Sequence, residues 1–363
     1  MGNRLVFVIL PFLSSAPLIA GAAQLEAVVD EVVRQHMVEK RIPGISVAIV
    51  QGGAVVFSKG YGKASLEFDV PASPSTVYPI SSVSKVLAGL LAVRMVEAGK
   101  LDLDASVTEF FDEVPADKEL VTVRHLLRHT HGLDDFYRSE DYPLESGKSV
   151  DDSTAIELVR WSLTRPARFS PGTAWEYSLA GYVMLAQIFE YAGGMPYEEL
   201  LERYVFEPIG MVGTFGGSEL VVANRNPVLY ALVDDKLSGH IVDFPKSTYA
   251  AGGFNVSVEE LSKLFIALSD DDFIDSESKL ALWSNPILEN GSPANYGLGW
   301  FSYTTSKGRW VVGHEGGGAS WVIYYPDLDL AVIALSNMSG ARTDSLPYEI
   351  ARGALAGGLL RSD

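Results

Sequence analysis

One apolar helix with a lysine near its start constrains this chain of 363 residues more than any other feature. Residues 81–99 read SSVSKVLAGLLAVRMVEAG, which is apolar on most faces of a helix. Such a helix is typical of a buried core element. The amine of Lys85 is then close to the core and needs hydrogen-bond partners. The rest of the chain must therefore fold around this helix and supply them.

Ser82 and Lys85 stand three residues apart, so in a helix they share one face. Desolvation lowers the pKa of a lysine, and its amine can then take the serine proton and create a nucleophile. Free N–H groups at the helix start favour an oxyanion. The alternative is a structural N-cap with an exposed lysine. Ser276 and Lys279 repeat the spacing, but the aspartates around them predict a solvated helix start.

The composition excludes several functions. The formal net charge of −18 argues against nucleic acid, because phosphate binding needs a basic surface. The chain has no cysteine, which excludes a cysteine nucleophile, a thiolate metal site and disulfide bonds. Hydrophobic residues make up 47% of the chain, which is enough for a large core in one or two domains.

Residues 1–22 have the pattern of a signal peptide. Arg4 is followed by an apolar stretch and by the small residues AGA at 20–22. A membrane anchor is the alternative, but Pro11 and Pro17 interrupt the apolar run. We therefore expect cleavage near Ala22, a secreted or periplasmic protein, and no membrane span after cleavage.

Strand patterns lie at both ends of the chain, and helical patterns lie between them. We expect an α/β (α+β) fold with one antiparallel sheet of five or more strands flanked by helices, plus an all-helical lobe. Within a single domain at 23–363, the sheet lobe takes residues 24–75 and 250–363, and the helical lobe takes 76–249. The ligand site is expected between the lobes. The predicted strands are 45–50, 54–57, 310–313, 321–325 and 330–336, and the predicted helices are 24–41, 81–99, 122–129, 153–163, 179–192, 197–205, 257–268 and 344–360.

Tyr177 is the first candidate partner for Ser82 and Lys85. It precedes an apolar helix and is expected at a loop-to-helix junction facing the lobe boundary. A neighbouring ammonium lowers the pKa of a phenol, which can then accept the serine proton or return one to the leaving group. The alternative is an ordinary core tyrosine, one of 16 in the chain.

The glycine-rich run GHEGGG at 313–318 supplies a second candidate. Glycines let a substrate approach the backbone, so the N–H of Gly317 can donate to an oxyanion and His314 can bond the substrate. The alternative is a hairpin loop. The similar HGGG segment of α/β-hydrolases is excluded, because it precedes a G-x-S-x-G motif that this chain lacks.

A metal site is a further alternative, since His125, His129 and His131 form an H-x3-H-x-H pattern. Arginines are interleaved with these histidines, and the nearest acidic residues are Asp134 and Asp135. The other interpretation is a helix end whose histidines bond to nearby backbone. We expect neither a metal nor a cofactor.

Three motifs resemble, in order and spacing, those of the serine β-lactamase and penicillin-binding-protein superfamily: Ser82-x-x-Lys85, Tyr177-Ser178 and His314-Glu315-Gly316. The similarity runs from about residue 44 to 337 and favours the class C-like branch, with D-Ala-D-Ala carboxypeptidases, D-aminopeptidases, family VIII esterases and some acyltransferases. Weaker similarities are VRHLL at 123–127 with His129-Thr130, FEPIGM at 206–211, AGG at 251–253 and YGLGW at 296–300.

The resemblance implies a β-lactamase/transpeptidase-like fold and a covalent acyl-enzyme without a metal. It also implies a role for each matched residue. Ser82 is the nucleophile, Lys85 accepts its proton or adjusts the group that does, and Tyr177 is a second general base and acid. The N–H groups of Ser82 and Gly317 form the oxyanion hole, and His314 and Gly316 belong to the substrate-binding strand.

Two positions depart from the family pattern. Leu179 replaces the asparagine of Y-x-N, so Lys85 lacks an amide neighbour that also binds amide substrates. A lost buried hydrogen bond to a charged group costs about 1.5–3 kcal/mol unless another partner replaces it. His314 replaces a lysine that would attract a substrate carboxylate. Both changes favour esters or less demanding acyl groups, with weak or absent β-lactamase activity.

Together these patterns predict an exported serine hydrolase that acts through a Ser82 acyl-enzyme on carboxylic esters or peptide-like amides. Its expected partner is a small-molecule substrate, and the oligomeric state is left open. Two alternatives remain, an acyltransferase of the same fold and a non-catalytic binding protein, to which Leu179 points.

Overall fold

A computed structural model of the chain describes residues 16–112, 114–215, 229–240 and 244–362. A 3-10 turn, Ser81–Val83, precedes the second helix, and a π-helical stretch, Glu202–Phe206, joins the seventh to the eighth. The α-helices are α1 (Ala16–Lys40), α2 (Ser84–Glu97), α3 (Val123–Leu127), α4 (Asp141–Ser146), α5 (Ala155–Thr164), α6 (Ala180–Gly193), α7 (Tyr197–Leu201), α8 (Glu207–Ile209), α9 (Tyr249–Gly252), α10 (Val258–Ala267), α11 (Ser276–Trp283) and α12 (Leu346–Ala356).

Strands from both ends of the chain form one sheet, as predicted. The strands are β1 (Gly44–Gln51), β2 (Ala54–Ser65), β3 (Val70–Pro71), β4 (Tyr78–Pro79), β5 (Thr214–Phe215), β6 (Leu229–Val233), β7 (Lys236–His240), β8 (Phe254–Val256), β9 (Phe301–Thr304), β10 (Trp310–Gly316), β11 (Ser320–Tyr325) and β12 (Leu330–Ser336). The seven-stranded sheet has the order β3-β2-β1-β12-β11-β10-β9, with antiparallel neighbours. The short strands β3 and β9 extend the five predicted ones.

The sheet separates two hydrophobic cores, because its central strands alternate apolar side chains between the two faces. In β1, Ile45, Val47 and Ile49 face a core that includes residues of α1 and α12. Ala48 and Val50 face the larger core, which includes α2 and much of the helical region.

The helix α2 lies in the larger core, as its apolar pattern predicted. Its residues from Ser84 to Val93 are buried. Burying one valine or leucine side chain contributes about 1.5–3 kcal/mol, so this packing holds the start of α2 firmly. The 3-10 turn before α2 packs against β10 and β11, which places Ser82 where the sheet meets the helical region.

The middle region is mainly helical but not all-helical, which corrects the predicted lobe. It also contains β4 and β5, which pair with β8, and the hairpin β6–β7. The hairpin turns at Asp234 and Asp235, whose φ angles are 49° and 62°. Tight hairpins need such angles but more often use asparagine and glycine, so the sequence pattern did not reveal this turn.

The predicted signal segment falls partly on residues 1–15, outside the described residues, while residues 20–22 lie within α1. Its cleavage and the lobe boundaries at 24–75, 76–249 and 250–363 stay predictions. Over the described parts of the chain, no helix is long and apolar enough to cross a membrane.

Candidate active site

Ser82 lies in the 3-10 turn that leads into α2. The residue before it, Ser81, has a φ of 47°, in the left-handed region that non-glycine residues rarely adopt. A residue held in this region costs about 1–3 kcal/mol and persists only where its surroundings enforce it. Here packing of the turn against the sheet keeps the strained backbone in place beside Ser82.

Lys85 is fully buried and lies within reach of Ser82. Its Nζ is 3.3 Å from Ser82 Oγ and 2.6 Å from the carbonyl oxygen of Ala251. The same atom lies 4.9 Å from the ring centroid of Tyr177 and 5.2 Å from that of Tyr182. The structure therefore brings Ser82, Lys85 and Tyr177 together, as the three-motif pattern predicted.

The environment of Lys85 lowers the pKa of its amine to about 7. Burial is the main cause, because the charged form loses its hydration. The negative charges of Asp135 and Glu315 offset part of that effect. A large fraction of the amine is therefore neutral near pH 7 and can accept the proton of Ser82.

Tyr177 differs from the sequence-based expectation in its ionisation. Burial raises the pKa of its phenol, and a hydrogen bond with the Ser82 side chain offsets part of the rise. The expected lowering of this pKa is therefore wrong. Desolvation of a phenolate outweighs attraction to Lys85, whose amine is itself partly neutral. Tyr177 is thus a neutral phenol near pH 7, whose hydroxyl can donate a hydrogen bond or relay a proton.

His129 anchors the segment that carries Tyr177. Its carbonyl oxygen accepts from the N–H of Glu176 at 3.0 Å, and its Nδ1 accepts from the N–H of Ser178 at 3.2 Å. Burial holds the pKa of His129 well below its usual value, so the ring stays neutral and Nδ1 can accept. The His129 and Tyr177 ring centroids are 4.4 Å apart. One residue therefore fixes both chain neighbours of Tyr177.

Leu179 occupies the position of the family asparagine and precedes α6. Its backbone N–H donates to Asp135 Oδ2 at 2.8 Å, a contact that stabilises the start of α6. Its side chain packs against the larger core. Since leucine offers Lys85 no amide, the carbonyl of Ala251 supplies the acceptor.

Two glycines bring the end of β10 against the turn that holds Ser82. A Cβ on Gly316 would lie 2.0 Å from the carbonyl oxygen of Ile80, so a larger residue does not fit. Gly317 has a φ of 57°, and a Cβ there would lie 3.3 Å from Ser81 Oγ. The glycine-rich run thus lies beside the turn that carries Ser82, and the oxyanion role of the Gly317 N–H stays a prediction.

His314 is buried, and both of its ring nitrogens are bonded within the protein. Nδ1 lies 2.6 Å from the carbonyl oxygen of Glu315, and it must donate because a carbonyl only accepts. Nε2 therefore accepts from the hydroxyl of Tyr296 at 2.9 Å. Burial lowers the pKa of His314 to about 3, which keeps the ring neutral. Neither nitrogen is free for the predicted hydrogen bond to the substrate.

The histidines of the H-x3-H-x-H pattern bond separate backbone groups. His125 Nδ1 accepts from the N–H of Thr122 at 3.2 Å, and His131 Nδ1 accepts from the N–H of Leu133 at 3.0 Å. The ring of His129 faces Ser178, as described above. Within the described ranges, no group of three or more histidine, cysteine, aspartate or glutamate residues is placed to hold a metal ion.

A cavity of about 480 Å³ adjoins the end of β10. It is next to Ser82 rather than around it, and His314 and Gly317 form the side nearest the turn. Its other side chains are aromatic or charged: Phe301, Tyr303, Trp321, Tyr348, Glu315, Arg342 and Asp344.

Sequence reasoning missed Asp135, Tyr296 and the carbonyl of Ala251 as parts of this site. Tyr296 and Ala251 belong to segments noted only as family similarities, and those glycine-flanked segments were the available indication. Asp135 follows another aspartate, and only its burial distinguishes it.

A protein-family comparison agrees with this geometry. The model of the family described as "Beta-lactamase" matches residues 29–355, which is most of the chain. The chain belongs to the beta-lactamase family. The fold, with a large antiparallel sheet flanked by helices, is the one expected for this family of hydrolases.

Two curated relatives of this beta-lactamase family member give the range of similarity. It is 29% identical over 316 residues to penicillin-binding protein 4* of Bacillus subtilis (strain 168), covering 80% of this chain and 67% of that protein. It is 31% identical over 201 residues to esterase EstB of Burkholderia gladioli, covering 52% of this chain and 50% of that protein. The match thus spans about two thirds and one half of these relatives.

Solved structures show the same fold. An octameric penicillin-binding protein homologue from Pyrococcus abyssi has a TM-score of 0.76 and 28% identity, covering 91% of this chain and 77% of that one. A D-amino acid amidase from Ochrobactrum anthropi SV3 has a TM-score of 0.75 and 24% identity, covering 92% of this chain and 99% of that one. At 24% identity, the similarity to the amidase shows only that the two proteins share a fold.

Proposed function

We propose that this family member is a serine hydrolase that forms an acyl-enzyme on Ser82 with carboxylic esters or peptide-like amides. The observation that carries the proposal is the buried amine of Lys85, 3.3 Å from Ser82 Oγ and with a pKa lowered to about 7. A serine hydroxyl needs such a base to become a nucleophile at neutral pH.

In the proposed acylation, neutral Lys85 takes the proton of Ser82 while Oγ attacks the substrate carbonyl. The N–H groups of Ser82 and Gly317 donate hydrogen bonds to the oxyanion that forms. Tyr177 gives its proton to the leaving alcohol or amine and recovers one from the Lys85 ammonium. Water then attacks the acyl-enzyme while Lys85 takes one of its protons. The Lys85 ammonium returns that proton to Ser82 Oγ as the carboxylic acid leaves, which restores both the hydroxyl and the neutral amine.

The side chains of the site favour ester substrates over amide substrates. Leu179 gives no amide group to a peptide-like substrate, while the similarity to esterase EstB adds weight to ester hydrolysis. The same leucine also suggested a non-catalytic protein. The carbonyl of Ala251 weakens that alternative, because it gives Lys85 a partner at 2.6 Å. Transfer of the acyl group to an acceptor other than water uses the same acyl-enzyme.

We further propose export, which rests on the pattern of residues 1–22 alone. Expression of the full chain in a Gram-negative host, followed by N-terminal sequencing of the periplasmic protein, tests it. A new N-terminus just after Ala22 supports export, and an uncleaved protein confined to the cytoplasm contradicts it.

A fluorophosphonate probe tests the nucleophile. The probe should phosphonylate Ser82 in the wild type, located by peptide mass mapping, and should not label Ser82→Ala. Ser276→Ala is the matched control, because Ser276 has the same spacing to Lys279 but is exposed at the start of α11. Labelling that survives in Ser82→Ala, or no label on folded wild type, contradicts the proposed function.

A further inference from the structure

The cavity beside β10 has an excess of negative charge. Among the described residues that line it, Glu315 and Asp344 carry carboxylates and Arg342 is the only cation. His314 also lines the cavity, but its ring is neutral. The two carboxylates lie close enough for Asp344 to raise the pKa of Glu315, while Arg342 lowers it. The residues around this cavity therefore favour a positively charged group.

Glu315 forms no ion pair within 4 Å among the described residues, although Arg342 and Lys85 act on it at longer range. It is partly buried, and its Oε2 accepts from the N–H of Gly318 at 3.3 Å. Burial is the main cause that raises the pKa of this carboxyl. Among the described residues, no ion pair within 4 Å is found for Glu315 or Asp344. A partly desolvated carboxylate without a paired cation is unfavourable, so a cationic ligand here would offset that cost.

Aromatic rings form the wall beside Glu315. In the β10–β11 pairing Glu315 lies opposite Trp321, so the two side chains share one face of the sheet. The Trp321 and Tyr348 rings meet edge to face at 6.2 Å, and the hydroxyls of Tyr303 and Tyr348 are hydrogen-bonded. Aromatic faces attract ammonium groups, most strongly where water is partly excluded.

The cavity borders the turn that carries the proposed nucleophile. His314 and Gly317 line it, and Gly317 lies beside the turn that carries Ser82. The charge of Glu315 also raises the pKa of Lys85, which places the carboxylate within electrostatic range of the amine. Gly317 is therefore the point at which a substrate with its carbonyl at Ser82 would enter the cavity.

We propose that Glu315, Asp344, Trp321 and Tyr348 form a cation subsite that binds an ammonium group of the substrate. The inference rests on the proposed function and gives it a substrate class, esters or amides that carry a primary or quaternary ammonium group. Arg342 is exposed and repels such a group. Its removal should therefore strengthen the preference that the two carboxylates create.

Matched p-nitrophenyl esters test the charge preference. Their acyl chains end in trimethylammonium, in the neutral isostere tert-butyl, or in carboxylate. We expect kcat/KM to be about tenfold higher for the cationic than for the neutral ester, and lowest for the anionic ester. The ratio of cationic to neutral should fall towards one in Glu315→Gln, fall further with Asp344→Asn added, and rise in Arg342→Gln.

Glu277→Gln is the matched control, since Glu277 is exposed at the start of α11 and does not line the cavity. It removes the same charge and should keep the wild-type ratio. A wild-type ratio of one or less, or a ratio unchanged in the Glu315→Gln, Asp344→Asn double variant, overturns the subsite. Circular dichroism confirms that each variant is folded.

Calorimetry with Ser82→Ala separates the two proposals. The amide analogue that ends in trimethylammonium should bind this variant more tightly than its tert-butyl counterpart, although neither is cleaved. Equal affinities overturn the subsite even where Ser82 is labelled by the probe. Tighter cationic binding together with no label on wild-type Ser82 supports the subsite and overturns the serine mechanism.

Discussion

Lys85 Nζ lies 2.6 Å from the carbonyl oxygen of Ala251 and 3.3 Å from Ser82 Oγ. A carbonyl accepts hydrogen bonds but does not donate them, so it orients an N–H of the amine without using its lone pair. The lone pair of neutral Lys85 is then available for the proton of Ser82. A backbone atom thus takes the place of the side-chain amide that Leu179 cannot supply.

The lowered pKa of Lys85 predicts how ester hydrolysis depends on pH. The reaction needs the neutral amine, so kcat/KM should fall about tenfold per unit well below pH 7 and level off above pH 8. Burial holds the pKa of His129 well below its usual value and lowers the pKa of His314 to about 3, so we do not assign the transition to either ring. Initial rates with a neutral p-nitrophenyl ester from pH 5 to 9 measure it. A profile that is flat, or that falls as pH rises through 7, contradicts this assignment.

His129 should act as a positioning residue for Tyr177. His129→Leu removes the Nδ1 acceptor for Ser178, and we expect kcat to fall about 10–100-fold with a smaller change in KM. His129→Asn keeps a short acceptor and tolerates the left-handed backbone, so it should retain much more of kcat. Steady-state kinetics on variants with intact circular dichroism measure this difference. Wild-type kcat in folded His129→Leu would show that the anchor is unimportant.

Leu179→Asn should shift activity from esters towards amides. An asparagine at this position can bond an amide substrate, and one such hydrogen bond corresponds to about a tenfold change in the amide-to-ester ratio of kcat/KM. Leu179→Met is the control, since it keeps an apolar side chain of similar volume. Matched p-nitrophenyl esters and p-nitroanilides give the ratio. The same ratio in both variants would contradict the role assigned to Leu179.

The sequence predicted the features that depend on repeated patterns. The apolar run around Lys85 indicated a buried helix, and the glycine-rich run at 313–318 indicated a backbone segment that a substrate can approach. The partner of Lys85 was not predictable, because the carbonyl of Ala251 is a backbone atom and any residue type supplies one. The pKa of Tyr177 was also missed, since it depends on burial rather than on residue spacing.

Gly89 should be essential for packing α2 against the segment before β9 that contains Leu298. A Cβ at this position would lie 1.9 Å from the carbonyl oxygen of Leu298, which is backbone and cannot easily move. Gly89→Ala should therefore lower the free energy of unfolding by about 1–3 kcal/mol, despite the better helix propensity of alanine. Urea denaturation measures this change.

Gly353 provides the comparison for that experiment. It lies in α12, and a Cβ there would meet Val28 Cγ1 at 2.9 Å, a side-chain atom that can shift. Gly353→Ala should therefore be close to neutral or stabilising, since alanine favours a helix by up to about 1 kcal/mol. Equal stability of the two alanine variants would contradict the tight approach at Gly89.

The acyl-enzyme itself is the most direct test of the central claim. The protein is mixed with p-nitrophenyl butyrate, quenched in acid during turnover, and analysed by intact mass and peptide mapping. We expect a butyryl group on Ser82, no adduct in Ser82→Ala, and acylation at least about 100-fold slower in Lys85→Ala, as for loss of a general base. A butyryl group at another residue, or turnover that persists in Ser82→Ala, would contradict the account.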